Sequence, residues 1–326
     1  MFGRAYDMKC HEANNSLQSL FFLNLQEGYE LRQYSIHMTK YNDIGELLID
    51  FRRINSMSQS DFADALDVDI RTIQRWENGA TLIKPEKEED IVMLTLLPYQ
   101  LIRNLNASIP IPTYYDFSLR KYALNELNDD LPEASWFKSN LEKATQRIRT
   151  LDHESDIDYL ERYMQFHKKI NRNLSAVIKE ASRILPEMNL IITDDSGYYS
   201  GHSLIFPIKE SAYMRLRSRK MEESELKVDD LTRPDQGKRP IYYGFDITAD
   251  CNDNIFYITG QLLRVIRESS DKDYLYCAIP FRSDNFELNK DVGLNIIWEG
   301  EKGVNQYGLE MAPRFQEGNF MDFLKK

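Results

Sequence analysis

The sequence predicts an α+β protein, with an all-α N-terminal domain followed by a mixed α/β domain. Three observations predict it. Between Ile44 and Leu97 the apolar residues recur at helical spacing, in short segments separated by capping residues. From about Gln146 the texture changes to short β-branched and aromatic runs interleaved with helix patterns. The 326 residues, 42% hydrophobic and 29% charged, suit two ordinary globular domains.

Composition excludes several classes. The longest apolar runs, Leu20–Leu23 and Asn189–Thr193, are too short to span a bilayer. No basic segment precedes an apolar stretch and cleavage site, so the chain reads as cytoplasmic, with no membrane partner. The three cysteines, Cys10, Cys251 and Cys277, are distant from one another and read as reduced thiols. Neither they nor the five histidines show metal-ligand spacing, so no metal is called for.

Taken in order, residues 1–37 carry no pattern and are left as an unassigned extension; the run from Met38 reads as a natural start. Residues 38–97 form the helical domain. Ile44, Leu47, Leu48 and Phe51 make the apolar stripe of its first helix. Ser58 caps a second helix, with Asp61 completing a near capping box. Asp67 sits at a tight turn that favours a left-handed backbone. Asp69 caps a third helix that ends at Asn78-Gly79. Pro85 and the acids after it open a fourth, with Ile91, Leu94 and Leu97 on one face and Pro98 ending it. Residues 98–145 read as a partly helical linker.

Residues 146–326 form the mixed domain. A strand near Ile148 precedes a helix over Asp158–Ile170. Segments 189–193, 203–208 and 212–218 read as strands, and 229–240 as a polar loop. Ile241–Ile247 is a buried strand followed directly by a helix over 255–269. Tyr274–Phe281 is the next strand, and 294–300 with 306–311 a closing pair.

The most informative stretch is Met57–Gly79. Two short helices over the hinge Asp67-Val68-Asp69 make a helix-turn-helix, whose second helix has the shape to enter a DNA major groove. Arg71 and Arg75 lie i, i+4, on one helical face. Arginine reads guanine through O6 and N7, while Ile70 offers only apolar contact, for example to a thymine methyl. Thr72 and Asn78 are candidate phosphate contacts. Trp76 is core. The net charge of −11 opposes general polyanion binding. From Asp43 to Ile83 there are four arginines against eight acids, so weak non-specific binding and a shallow salt slope are expected.

Gln59, Ala63, Thr72-Ile73 and Trp76-Glu77-Asn78-Gly79 together resemble the Xre/Cro/phage-repressor family, over about 44–97. That resemblance implies a phosphate contact at Gln59, base-facing residues at Ile70, Arg71 and Arg75, and a structural brace between Arg52 and Glu77. Asp67 stands where glycine is usual in that family.

The mixed domain resembles the GNAT acyltransferase fold in its element order, from the strand at 147–151 to Gly293-Leu294. The resemblance implies an acetyl-CoA pyrophosphate cradled at the strand-to-helix junction 249–260. Here that alignment puts Asn254 at the basic position, Tyr257 and Thr259 at glycine positions, and Asp250 and Asp253 nearby. Asn289 stands where a proton-donating tyrosine is implied. The residues therefore point to a domain that kept the shape and lost the reaction, with no catalytic residue and no cofactor assigned.

Other features are read as structural. His202-Ser203 lacks a nucleophile turn and reads as a hairpin tip. Cys251 near a helix start has the place of a lowered-pKa sensor thiol, opposed by flanking aspartates. Asp194–Gly197 is a hairpin turn. The basic run Arg215–Lys220 is a solvated strand end or a second DNA contact. Tyr198, Tyr199, Tyr242 and Tyr243 line either a core or a ligand cleft.

The leading expectation is a sequence-specific regulator that binds double-stranded operator DNA as a homodimer, with a GNAT-like effector-sensing or oligomerisation domain open to a small-molecule effector. Two alternatives stand beside it: a divergent acyl-CoA-dependent N-acyltransferase carrying a helix-turn-helix, and an antitoxin-like repressor that holds a protein partner.

Overall fold

The computed structural model describes residues 38–124, 147–167, 170, 174–234, 239–268, 273–280, 293–304 and 310–319. The extension 1–37 with Cys10, residues 125–146 at the end of the segment read as linker, and Asn289 lie outside the described residues.

The helical domain begins with a short strand, β1 (Thr39–Tyr41), and four helices: α1 (Ile44–Ile54), α2 (Gln59–Ala65), α3 (Ile70–Glu77) and α4 (Pro85–Thr95). Each start is dictated locally. Asp43 caps α1 by accepting from the Glu46 N–H. Ser58 and Asp61 form a reciprocal capping box on α2, and the Ser58 hydroxyl and N–H hold the Asp61 carboxyl below the usual carboxylate range. Asp69 caps α3, and Pro85 occupies the first turn of α4. Asp67 takes the left-handed backbone its place in the turn demands, at φ 51°. Leu47, Leu48, Phe62, Ile73 and Ile91 are fully buried between the helices. Each such side chain contributes roughly 1.5–3 kcal/mol on removal from water.

α4 stops at Thr95, two residues earlier than its apolar pattern suggests. Leu96 turns left-handed at φ 58°, which sends Leu97 outside the helix. Part of the stretch read as linker is ordered structure: α5 (Tyr99–Leu105) and a hairpin, β2 (Thr113–Asp116) and β3 (Lys121–Ala123). β2 also pairs with β1, giving a three-stranded antiparallel sheet in the order β1-β2-β3.

The C-terminal domain is a seven-stranded sheet with helices on its faces. Its strands are β4 (Ile148–Thr150), β5 (Leu190–Thr193), β6 (Tyr199–Pro207), β7 (Ile241–Ala249), β8 (Leu275–Ala278), β9 (Leu294–Glu299) and β12 (Arg314–Gly318), in the order β4-β5-β6-β7-β8-β12-β9. All neighbours are antiparallel except β7 and β8, which are parallel. That parallel pair needs a crossover, supplied by α9 (Asn252–Glu268). Three further helices are α6 (Glu154–His167), α7 (Ser175–Ile184) and α8 (Glu210–Arg217). The class is α+β, as expected.

Four local expectations are corrected. Residues 212–218 are not a strand but most of α8, whose Ala212, Tyr213 and Leu216 make a helical stripe on the core. α7 had no counterpart in the sequence reading. β9 pairs with β12, while Glu310–Met311 (β11) pairs with Gly303–Val304 (β10), so the closing pair is drawn from different segments. His202-Ser203 is no hairpin tip: both residues are fully buried in the middle of β6. The turn at Asp194–Gly197 is as expected, with Asp194 Oδ1 accepting from the Ser196 and Tyr198 N–H groups and Gly197 at φ 86°.

Candidate nucleic-acid interface

The turn between α2 and α3 presents one face of α3 to solvent. Ile73 and Trp76 point inward, 0% and 4% exposed, and anchor that helix in the domain core. The remaining positions, Ile70, Arg71, Gln74, Arg75 and Asn78, are all exposed. Their spacing puts them along one side of the helix. Thr72 lies half-buried at the edge of this face.

Behind the face stands an ion pair that crosses the unit. Arg52 Nε donates to Glu77 Oε1 at 2.5 Å and Nη2 to Glu77 Oε2 at 2.9 Å. Both side chains are nearly buried, 14% and 4% exposed. Arg52 Nη1 also donates to the Met57 carbonyl at 3.0 Å, so one guanidinium ties α1 to the start of α2 and the end of α3. Gln59 completes the network: its Nε2 donates to Glu77 Oε2 at 2.7 Å, and its Oε1 accepts from Gln74 Nε2 at 3.4 Å. The Gln59 side chain thereby ties the start of α2 to the C-terminal half of α3.

Arg71 and Arg75 make no side-chain hydrogen bond or ion pair among the described residues, whereas the other basic cluster is spent internally. In Arg215–Lys220, Arg215 pairs with Asp230, Arg217 with Glu317, and Arg219 lies over the Trp298 ring and donates to the Glu299 carbonyl. Those arginines hold α8 to its surroundings, and the segment is a helix end, not a strand end. Gln74, which the sequence reading missed, belongs to the exposed face of α3. Its signal was there: it lies i+3 from Arg71 and i+4 from Ile70, and glutamine can pair bidentately with adenine.

The sheet domain carries a different chemistry at the places where an acyl-CoA would sit, and the residues do not fit one. β7 and β8 pair only as far as Gly244 and Ala278, after which β7 continues to Ala249 paired with β6 alone. At that divergence Tyr276 lies across β7. A Cβ on Gly244 would stand 2.0 Å from the Tyr276 hydroxyl, so the space beside the strand is already filled by the phenol. The start of α9 is closed as well. Tyr122 of β3 donates its backbone N–H to the Asp250 carbonyl at 2.6 Å. The Asp250 carboxylate, 1% exposed, accepts from Asn254 Nδ2 at 2.7 Å. Asn254 Oδ1 in turn accepts from Arg147 at 3.0 Å. Burial raises the Asp250 carboxyl above its usual range. Tyr257 is buried and Phe256 half-buried on the same helix. At Cys251, burial and then Asp250 push the thiol well above the ordinary value, opposite to the lowered pKa of a sensor thiolate.

A second polar group lies inside the domain. His202 Nε2 is 3.0 Å from Asp246 Oδ2, and Nδ1 meets the Tyr199 hydroxyl. This fits the tautomer that donates to the carboxylate and accepts from the phenol. The ring is fully buried, so the histidine is a satisfied core residue. Beside it, the buried Arg120 guanidinium lies over the Tyr199 and Tyr163 rings at 4.8 and 5.4 Å and donates to the Leu96 carbonyl at 3.1 Å. Tyr199, Tyr242 and Tyr243 therefore serve the interior, while Tyr198 is half-exposed and stacks on Tyr99 at 3.8 Å.

No curated protein matches the chain. Among solved structures, the chain is similar to Naa20 of Chaetomium thermophilum in complex with a bisubstrate analogue, at 12% identity, 55% of this chain, 90% of that one and a TM-score of 0.33. It is also similar to Arabidopsis thaliana Naa50 in complex with a bisubstrate analogue (10%, 53% and 97%, TM-score 0.33) and to arylalkylamine N-acetyltransferase 2 from Aedes aegypti (9%, 53% and 98%, TM-score 0.31). The chemistry of the sites above follows from their side chains and not from these likenesses. Residues 48–87, which hold most of α1, all of α2 and α3 and the first turn of α4, match the helix-turn-helix family model.

Proposed function

We propose that the chain is a sequence-specific DNA-binding transcriptional regulator that reads base edges in a major groove with α3. The observation that carries this reading is the pair Arg71 and Arg75: two exposed arginines on one face of a braced helix, with no internal partner among the described residues. Arg71, Arg75 and Gln74 donate to bases, Ile70 touches a thymine methyl, and Thr72 and Asn78 reach the flanking phosphates. Gln59 reaches a phosphate from the start of α2, while its amide stays tied to Glu77.

One recognition helix covers too few base pairs for useful specificity, so the operator is bound by a homodimer on paired half-sites. The sheet domain then acts as an effector-sensing or oligomerisation module. No helix among the described residues is long and apolar enough to cross a membrane, and a cytoplasmic location suits the reading. The test is selection of binding sites from a random duplex pool by the full chain. Enrichment of a two-fold related motif supports the reading, and recovery of unrelated sequences with no preference overturns it.

A further inference from the structure

We propose that Leu82 and the loop Ser108–Pro112 form the surface through which two copies of this chain associate, beside the recognition helix. The inference deepens the DNA-binding reading and rests on it for the use to which the dimer is put.

Among the exposed apolar side chains of the helical domain, Met93 at 51% lies on α4 and Ile70 at 39% on α3, whereas Ile109 at 83%, Leu82 at 53% and Ile111 at 48% lie on two loops. Scattered exposed apolar residues are ordinary. Those on the two loops are held together. Asn106 accepts from the Ile83 N–H at 2.9 Å and donates to the Ile83 carbonyl at 2.8 Å, which fixes the loop carrying Leu82 against the loop carrying Ile109.

The second loop is rigid at its base. Asn106 Nδ2 also donates to the fully buried Glu88 at 2.5 Å, and the other Glu88 oxygen accepts from Arg103 at 2.8 Å. The Ile111 N–H returns to the Asn104 carbonyl at 2.8 Å, and the Thr113 hydroxyl donates to the Ile111 carbonyl at 2.9 Å. Pro110 and Pro112 restrict what remains of the backbone. An apolar surface on such a loop loses little entropy when a partner covers it.

Charge and position name the partner. Segments Ala80–Ile83 and Asn104–Thr113 hold no charged residue, in a chain that is 29% charged with a net charge of −11. Two copies repel through most of their surfaces, and this neutral patch is where they can meet. It is also tied to α3: the Ala80 N–H donates to the Arg75 carbonyl at 2.8 Å, two residues before Leu82. A two-fold axis through the patch makes the contact isologous and sets two α3 helices side by side, as paired half-sites require. The patch is small, so the free dimer belongs with interfaces below about 1,200 Å² and associates weakly and reversibly.

The test is sedimentation of the full chain over a concentration series reaching the high-micromolar range. The variants are Ile109→Glu with Ile111→Glu, the milder Ile109→Ala with Ile111→Ala, and Ile296→Glu with Ile297→Glu on the open edge of β9. Far-UV circular dichroism checks that each folds. The proposal expects reversible dimers of the wild type and of the β9 variant. The Ala pair should weaken association by about tenfold, and the Glu pair should be monomeric. A monomeric wild type, dimers unaffected by the Ile109 and Ile111 changes, or loss of dimer in the β9 variant overturns it. The readout contains no DNA, so failure of the base-reading assignment leaves this result standing, and the reverse holds too.

Discussion

Phe51 of α1 and Phe166 of α6 stack with their ring centroids 6.4 Å apart and 7° between their planes. The core of the helix-turn-helix thus continues into the sheet domain. Other contacts follow the same seam: Tyr99 stacks on Tyr198, the Tyr198 hydroxyl donates to Glu89 at 2.9 Å, and Arg162 of α6 donates to the Met93 carbonyl at the end of α4. Leu96, at the left-handed end of α4, is buried in the core of the sheet domain. The helices that pack around α3 are therefore seated on a scaffold that includes the sheet.

Arg71→Ala and Arg75→Ala are each expected to weaken binding to the selected operator by roughly 1–3 kcal/mol, the worth of a bidentate guanine contact. Both side chains are exposed and unpaired among the described residues, so the melting temperature should stay put. Fluorescence anisotropy on labelled duplex checks the first and calorimetry the second. Unchanged affinity in both variants removes α3 from the groove.

Glu77→Ala is expected to cost about 3–5 kcal/mol of stability, because it strands the nearly buried Arg52 guanidinium. Replacing both residues, Arg52→Met with Glu77→Leu, should cost much less, since no uncompensated charge remains. Urea titration of the wild type, Glu77→Ala and the double variant measures this. A cost of Glu77→Ala below about 1 kcal/mol would mean the pair behaves as a surface salt bridge.

Asp67→Gly is expected to raise stability by about 1 kcal/mol. The exposed Asp67 sits at φ 51°, a region that penalises a side chain and suits glycine. The change also removes one negative charge from the acidic helix-turn-helix, so operator affinity should rise slightly at low salt. A drop in the urea midpoint is the opposing result.

Gly244→Ala is expected to destabilise the sheet domain by about 1–3 kcal/mol, the range for overpacking a filled interior. The added methyl would stand 2.0 Å from the Tyr276 hydroxyl. Tyr276→Ala in the same chain should recover part of that loss, which chemical denaturation of the double variant would detect. Two fully additive losses would mean that the phenol does not fill the space beside Gly244.

Asp250→Asn is expected to stabilise the protein at neutral pH and to do little in strong acid. Burial raises the folded-state pKa of Asp250 above its ordinary value of 3.8. The folded state therefore holds the proton more tightly, and wild-type stability falls as pH rises from the ordinary value through the raised one. Asparagine carries no charge at either end, so its advantage should grow across that window. Urea midpoints of both proteins at acid and neutral pH check the trend; an advantage that shrinks with rising pH contradicts it.

The sequence alone determined the helix-turn-helix. Its caps, its left-handed turn at Asp67 and its inward stripe are local properties, fixed within a few residues by side-chain hydrogen bonds and helical spacing. The class of the second domain and the order of most of its strands were legible for the same reason. Tertiary structure decided what local patterns cannot encode. The segment 212–218 alternates like a strand, yet its apolar residues also fit a helical stripe, and only the core beneath α8 selected the helix. His202 could be read as exposed until pairing placed it beside Asp246, 44 residues away. The closure of the α9 start depends on Tyr122, which lies more than a hundred residues before Asp250 in the chain. The contrast between the spent arginines of α8 and the unpaired ones of α3 was also invisible, because arginines of either kind look alike until folding brings acids to some of them and leaves others facing solvent.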